Sequence, residues 1–185
     1  MTTTPMTPRS ARLSPLHDRH EALGASFTDF GGWLMPVRYE SDLSEHHAVR
    51  TTAGLFDISH MALFGVAGAE REAFLAYTLA LDPTTLKLSR AKYTMILAPD
   101  GGIIDDLIVT RNAEDQFLIV ANAGNRDAVR TALLERLVDF DAQLVELDDS
   151  LLAVQGPRAR EILQRTEGLV HDDALAMGHT LDTLP

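Results

Sequence analysis

Apolar residues along the chain follow two rhythms, one near 3.6 residues and one of two, and the switches between them lay out the elements. Over residues 127–137, Ala128, Val129, Ala132, Leu133 and Leu137 share one stripe, which predicts an amphipathic helix. Ala73, Phe74, Tyr77 and Leu81 recur at the same spacing and predict a helix over 69–81. A third helix is predicted over 42–53, with Asp42 as its cap, Glu45 three residues later completing a capping box, and Gly54 as its stop. Strand-like runs begin at Met61 (MALFGV), Lys92 (KYTMIL), Ile103 (IIDDLIVT), Gln116 (QFLIVA), Ala142 (AQLVEL) and Leu151 (LLAVQ). In GPRAREILQR, Pro157 stands where a last helix would begin.

The three middle strands are joined by short polar links and should form an antiparallel meander. From Met61 to Leu147 the order is strand, helix, three strands, helix, strand. That order predicts an α+β fold built on a ferredoxin-like split βαβ unit with one extra strand.

One strand carries charge where charge is costly. In IIDDLIVT, alternation puts Ile103, Asp105, Leu107 and Val109 on one face and Ile104, Asp106, Ile108 and Thr110 on the other. Each face is apolar but for one Asp. A buried, unpartnered carboxylate costs several kcal/mol, so each needs a turn backbone, a partner or a water-filled pocket. Asp100-Gly101-Gly102 is a hairpin signal, and an Asp near a turn commonly accepts backbone hydrogen bonds.

Composition narrows the function classes. The 185 residues suffice for one large or two small domains, and a net charge of -11 argues against nucleic acid or an anionic membrane as the main partner. An anionic ligand would need a local basic pocket. Zero cysteines exclude a thiolate nucleophile and cysteine-ligated metal. No apolar run reaches the roughly 18 residues of a membrane span. The polar opening through residue 13 lacks the apolar core of a secretory signal and reads as a flexible tail on a cytoplasmic protein. Phosphate-loop, dinucleotide-binding, nucleophile-elbow and H-E-x-x-H motifs are absent. Glu45, His46, His47 and His60 are the nearest approach to a metal set, but adjacent helical residues point about 100° apart, so no metal site is predicted. FGGW, 30–33, reads as a tight turn packing the chain's one Trp.

Taken together, SPLHDRHEALGASFTDFGGWLMPVRY, EHHAVRTTAGLFDISHM, AKYTMILAPDGGIIDDLIV, IVANAGNRD and LLAVQGPRA resemble the aminomethyltransferase family, the T-proteins of the glycine cleavage system. The segments keep the family's order from Ser14 to Ala159. The resemblance implies a tetrahydrofolate-dependent transferase. An aminomethyl group on the lipoyl arm of a carrier, the H-protein, would give its one-carbon unit to tetrahydrofolate and release ammonia. It assigns the first Asp of the IDD motif, Asp105, as catalytic, and leaves Asp106 structural. It places Met61, Tyr93, Val120 and Asn122 around the folate, where apolar and aromatic side chains can sandwich a flat ring and an amide can meet its polar edge.

The resemblance also divides the chain into a tail over 1–13, parts of an incomplete folate-binding α+β subdomain over 14–60 and 149–185, and the ferredoxin-like unit over 61–148. Ala62 stands where the family usually has glycine, and Leu81 replaces a polar residue. Family members are about twice as long, so a C-terminal half with a further folate-contacting acid is expected to be missing, and weak or no activity is expected of this chain alone. The alternatives are a non-catalytic folate-binding or assembly module and a folate-dependent demethylase.

Overall fold

The computed structural model describes residues 11–166, a mixed α+β structure with three sheets. The largest joins β5 (Ala62–Ala67), β6 (Arg90–Leu97), β7 (Ile103–Ala113), β8 (Gln116–Ala121) and β9 (Gln143–Leu147) in the order β6-β7-β8-β5-β9, antiparallel throughout. The predicted meander is therefore present, with β6 on its outer edge. Two helices, α3 (Arg71–Thr78) and α4 (Arg126–Leu137), cover one face. Between them and the sheet, Phe64, Val66, Val109 and Ile119 meet Phe74, Leu75, Val129 and Leu133, all fully buried. Each such side chain stabilises the fold by about 1.5–3 kcal/mol.

The flanking parts are thinner. β1 (Arg12–Leu13) lies parallel to β3 (Trp33–Arg38), which forms a hairpin with β2 (Ser26–Phe30). β4 (Gly54–Asp57) pairs antiparallel with β10 (Leu152–Gln155). Around them stand α1 (His17–Ala22), α2 (Asp42–Thr51) and α5 (Ala159–Arg165). Here Leu55 and Leu152 stay 65% and 47% exposed, so most of the apolar stabilisation resides in the large sheet.

Several expectations are corrected. The cap of α2 is Ser41, extended at φ -147° and accepting from the Ser44 amide, so Asp42 is already helical. Glu45 does reach back, but to the amides of Tyr39 and Glu40, both at 2.9 Å. Gly54 does not stop the helix, which ends at Thr51; it opens β4 opposite Gln155. α3 ends at Thr78, where Leu79 turns extended, so its buried stripe is Phe74, Leu75 and Thr78, with Tyr77 exposed. Leu81 lies beyond that helix and joins the core, which accounts for an apolar residue there. Ala128 is exposed on α4, and Pro157 precedes α5 by two residues.

In β7, Asp105 pairs with Ile96 while Ile103 pairs with Leu97, so Ile104 is an extra residue. This bulge turns Ile103 out, 64% exposed, away from the face it was expected to share with Leu107 and Val109. Arg12 and Leu13, assigned to the tail, are instead strand residues, because the Arg12 amide finds the Gly32 carbonyl at 2.8 Å. Residues 1–10 of that tail and the closing segment 167–185 lie outside the described residues.

Candidate functional site

FGGW forms the β2–β3 hairpin. Phe30 pairs with Trp33, and Gly31 and Gly32 at φ +61° and +86° supply the two left-handed positions that a two-residue turn of this twist requires. The turn thereby carries Trp33 toward the start of α4. The Arg126 guanidinium lies 5.8 Å from its ring centre.

Asp105 lies on the helix-side face of β7 with Leu107 and Val109 and is 2% exposed. Its partners come from the link between β8 and α4. Oδ2 accepts from the Asn122 amide at 2.9 Å, while Oδ1 accepts from Asn122 Nδ2 at 3.0 Å and from Asn125 Nδ2 at 2.5 Å. Asn125 ends a 3-10 turn (Ala123–Asn125) that leads into α4. The carboxylate thus fixes the turn that starts the helix. Hydrogen bonds to a charged acceptor are worth about 1.5–3 kcal/mol each, enough to offset burial of the charge. Asn125→Ala should lower unfolding free energy by about 1–2 kcal/mol in denaturant titration, since Asn122 still satisfies Oδ1. An unchanged midpoint would contradict this account of the turn.

The next residue faces the other way. Asp106 is exposed, and its Oδ2 accepts from the Tyr93 hydroxyl at 2.8 Å. That hydrogen bond raises the Tyr93 pKa, keeping the phenol a donor. Tyr93 pairs with Ile108, and Ile108 pairs with Val120, so the three form a row across the face not covered by α3 and α4. Asn122 Nδ2 reaches both acids, also approaching the Asp106 carbonyl at 2.8 Å and its Oδ1 at 3.2 Å. Met61, half-buried one residue before β5, offers its carbonyl to Arg126 at 3.0 Å.

The structure therefore brings Asp105 together with Asn122, and Tyr93 together with Val120. Among the described residues Met61 hydrogen-bonds to neither pair; its carbonyl is held by Arg126, the residue after Asn125. Asp105 and the Tyr93–Val120 row lie on opposite faces of the sheet, with the Asn122 amide spanning the strand end between them.

Sequence reasoning missed Asn125, whose amide resembles any loop amide until β7 is beside it. It also missed a buried polar cluster behind the hairpin. Asp57 accepts from Ser14 Oγ, from His20 Nε2 at 2.8 Å and from the Ser59 amide at 2.9 Å. His20 Nδ1 meets the Tyr39 hydroxyl at 2.7 Å. These residues come from the first two of the five recognisable segments, and the cluster ties those segments together.

Burial by itself would raise the Asp57 pKa, but the hydrogen bonds from Ser14, Ser59 and His20 outweigh it and hold the carboxyl below its ordinary range. Burial pushes the neighbouring His60 imidazole down, opposed by the Asp57 charge. Both shifts mean that the unfolded chain binds more protons, so stability falls on acidification, in two windows. The His60 contribution is lost as pH drops from about 6.5 toward its lower folded value, and the Asp57 contribution only below about 4. His60→Gln should flatten the first limb of a stability-versus-pH curve and leave the second. A first limb that persists unchanged in that variant would assign it to another group.

The chain is similar to known proteins. A model of the GCVT N-terminal domain matches residues 16–181. The aminomethyltransferase of Corynebacterium aurimucosum is 55% identical over 152 residues, covering 81% of this chain and 41% of that protein. That of Saccharopolyspora erythraea is 48% identical over 156 residues, 83% of this chain and 42% of that one. The crystal structure of glycine cleavage system aminomethyltransferase T from Bartonella henselae superposes with a TM-score of 0.84 at 44% identity, covering 88% of this chain and 45% of the other. The chain thus spans less than half the length of these relatives. With the family model matching most of its residues, the chain belongs to the aminomethyltransferase family and carries its GCVT N-terminal domain.

Proposed function

We propose that this chain supplies the tetrahydrofolate-binding and catalytic half of a glycine cleavage aminomethyltransferase, which moves the one-carbon unit from an aminomethyl-lipoyl H-protein to tetrahydrofolate and releases ammonia. A C-terminal half, in cis or in trans, completes the folate wall in this reading. This reading puts the reaction in the cytoplasm. Separately, no described helix is long and apolar enough to cross a membrane. The large sheet with α3 and α4 is the ferredoxin-like unit over 61–148, and the segments over 14–60 and 149–185 are parts of the folate-binding subdomain.

The observation that carries the reading is the state of the Asp105 carboxylate. Ionised, it has about four acceptor sites, and three are occupied by N–H groups of its own chain. Oδ2 accepts one donor, the Asn122 amide, and so retains capacity for one more. A rigid acceptor with one free site can orient an N–H of a ligand that reaches round the strand end, where Asn122 Nδ2 meets both acids.

The remaining residues fit a flat heterocycle with a polar edge. Tyr93, Ile108 and Val120 give a row of apolar surface, and Asn122 and Asp106 stand at its end with both donor and acceptor atoms. Tetrahydrofolate, when bound, supplies the nitrogen nucleophiles that accept the one-carbon unit. Tyr93, fixed by its bond to Asp106, limits how a ring can sit against the row. Met61, held at its carbonyl by Arg126, borders the same end of the sheet.

One observation favours the non-catalytic alternative: Asp105 is so nearly saturated and buried that it would hold its turn with no ligand present. Ammonia release separates the two readings. With aminomethylated H-protein and tetrahydrofolate, the chain completed by the C-terminal half of a family member should release ammonia in a folate-dependent way. Folate binding without ammonia release would establish the binding module and overturn the transferase.

A further inference from the structure

The turn that holds Asp105 has a second side. Between it and the β2–β3 hairpin lies a cavity of about 250 Å³, walled by Arg12, Gly31, Gly32 and Trp33 on one side and by Gly124 and Arg126 on the other. At each of the three glycines an added Cβ would meet nothing within 4 Å, so their backbones border open space. The guanidinium carbons of Arg12 and Arg126 lie 5.7 and 5.8 Å from the Trp33 ring centre.

The two cations differ. Arg126 is already engaged, donating to Glu146 Oε1 at 2.6 Å and to the Met61 carbonyl at 3.0 Å. Arg12 packs on Trp33, and among the described residues no carboxylate pairs with it. A half-buried ring beneath a guanidinium orients it. In a chain of net charge -11, two guanidinium groups beside glycine backbone are the local basic pocket that an anionic ligand needs. One lining acid, Asp127, opposes that field.

We propose that this cavity is a subsite for the carboxylate end of a small molecule, with Arg12 as its anchoring cation and Trp33 as its apolar wall. The assignment rests on the cavity and its charges and holds whether or not the sheet's open face binds folate. Two sources carry such an end: the glutamyl side chain of a folate, or an unrelated free dicarboxylate.

Trp33 is the chain's one tryptophan, so its emission reports on the cavity directly. Titration with glutarate should shift that emission saturably, and the neutral diamide, glutaramide, should not. Arg12→Gln, at an exposed position, should weaken the response about tenfold with an unchanged circular dichroism spectrum. Asp127→Asn should strengthen it, an outcome that loss of folding cannot imitate. Displacement of glutarate by tetrahydrofolate but not by a tetrahydropterin with no side chain, which carries no carboxylate, identifies the folate side chain as the source; displacement by neither identifies a free carboxylate, and displacement by the pterin as well overturns the proposal. No saturable shift in the wild type, or an equal one in Arg12→Gln, overturns the proposal. Failure of the folate reading would leave the glutarate response intact.

Discussion

Asp105→Asn is expected to weaken tetrahydrofolate binding at least about tenfold and to lower stability by about 1–3 kcal/mol. The substitution keeps shape and removes charge, and it replaces one carboxylate oxygen by an NH2 group. Both oxygens now accept from N–H groups, Oδ2 from the Asn122 amide and Oδ1 from the side chains of Asn122 and Asn125. Whichever way the new amide turns, one donor faces another donor. An unmet buried donor costs about 1–3 kcal/mol, which is the stability term. The affinity term is separate, because the free acceptor site on Oδ2 is lost or its charge is gone. Asn125→Ala provides the comparison: it loosens the same turn but leaves the carboxylate in place. If the two variants lose stability alike and only Asp105→Asn loses folate affinity, the carboxylate acts on the ligand. Equal affinity in both would reduce Asp105 to a structural residue.

Gly156→Ala should destabilise the chain by about 3–5 kcal/mol, close to the whole stability of a marginal domain. Gly156 joins β10 to α5 at φ +133°, a region closed to side chains, and an added Cβ would lie 2.7 Å from Ala53 Cα, the Thr52 carbonyl oxygen and the Val49 carbonyl oxygen. These are backbone atoms, and the Thr52 carbonyl also accepts from the Arg158 amide at 2.8 Å, so relief requires moving the end of α2 as a body. The β4–β10 pair would shift with it, and Asp57 with its cluster stands at the end of β4. Gly31→Ala serves as the control, because its φ of +61° admits a side chain at about 1–2 kcal/mol and no atom lies within 4 Å. Urea melts of both variants give the comparison. Equal losses would mean that the backbone contact at Gly156 is not close.

What was legible in the sequence follows physical locality. The meander and α4 were readable because period-two and 3.6-residue patterns are written within a few neighbouring residues. The bulge at Ile104 was not, since it arises from how β6 registers against β7. Leu81 misled because it continues a helical stripe past the point where the sheet claims Leu79, which bridges to Ile96. The cap shifted by a single residue because Ser41 and Asp42 are both good caps and backbone geometry decides between them. At the site, the cost of charge in an apolar strand singled out Asp105 and Asp106 and demanded partners for both. It could not say that the partners of Asp105 come from 17 and 20 residues away in the β8–α4 link. Nor could it find Asp57 and His20, 37 residues apart, which look like ordinary surface polar residues until the hairpin folds over them.

The central claim is that this chain binds tetrahydrofolate beside Asp105. The most direct test is calorimetric titration of the folded chain and of its Asp105→Asn variant with tetrahydrofolate. Saturable binding by the wild type, weakened at least about tenfold in a variant that keeps its circular dichroism spectrum, is the predicted result. A folded wild type that takes up no tetrahydrofolate, or a variant that binds it equally well, would contradict the account.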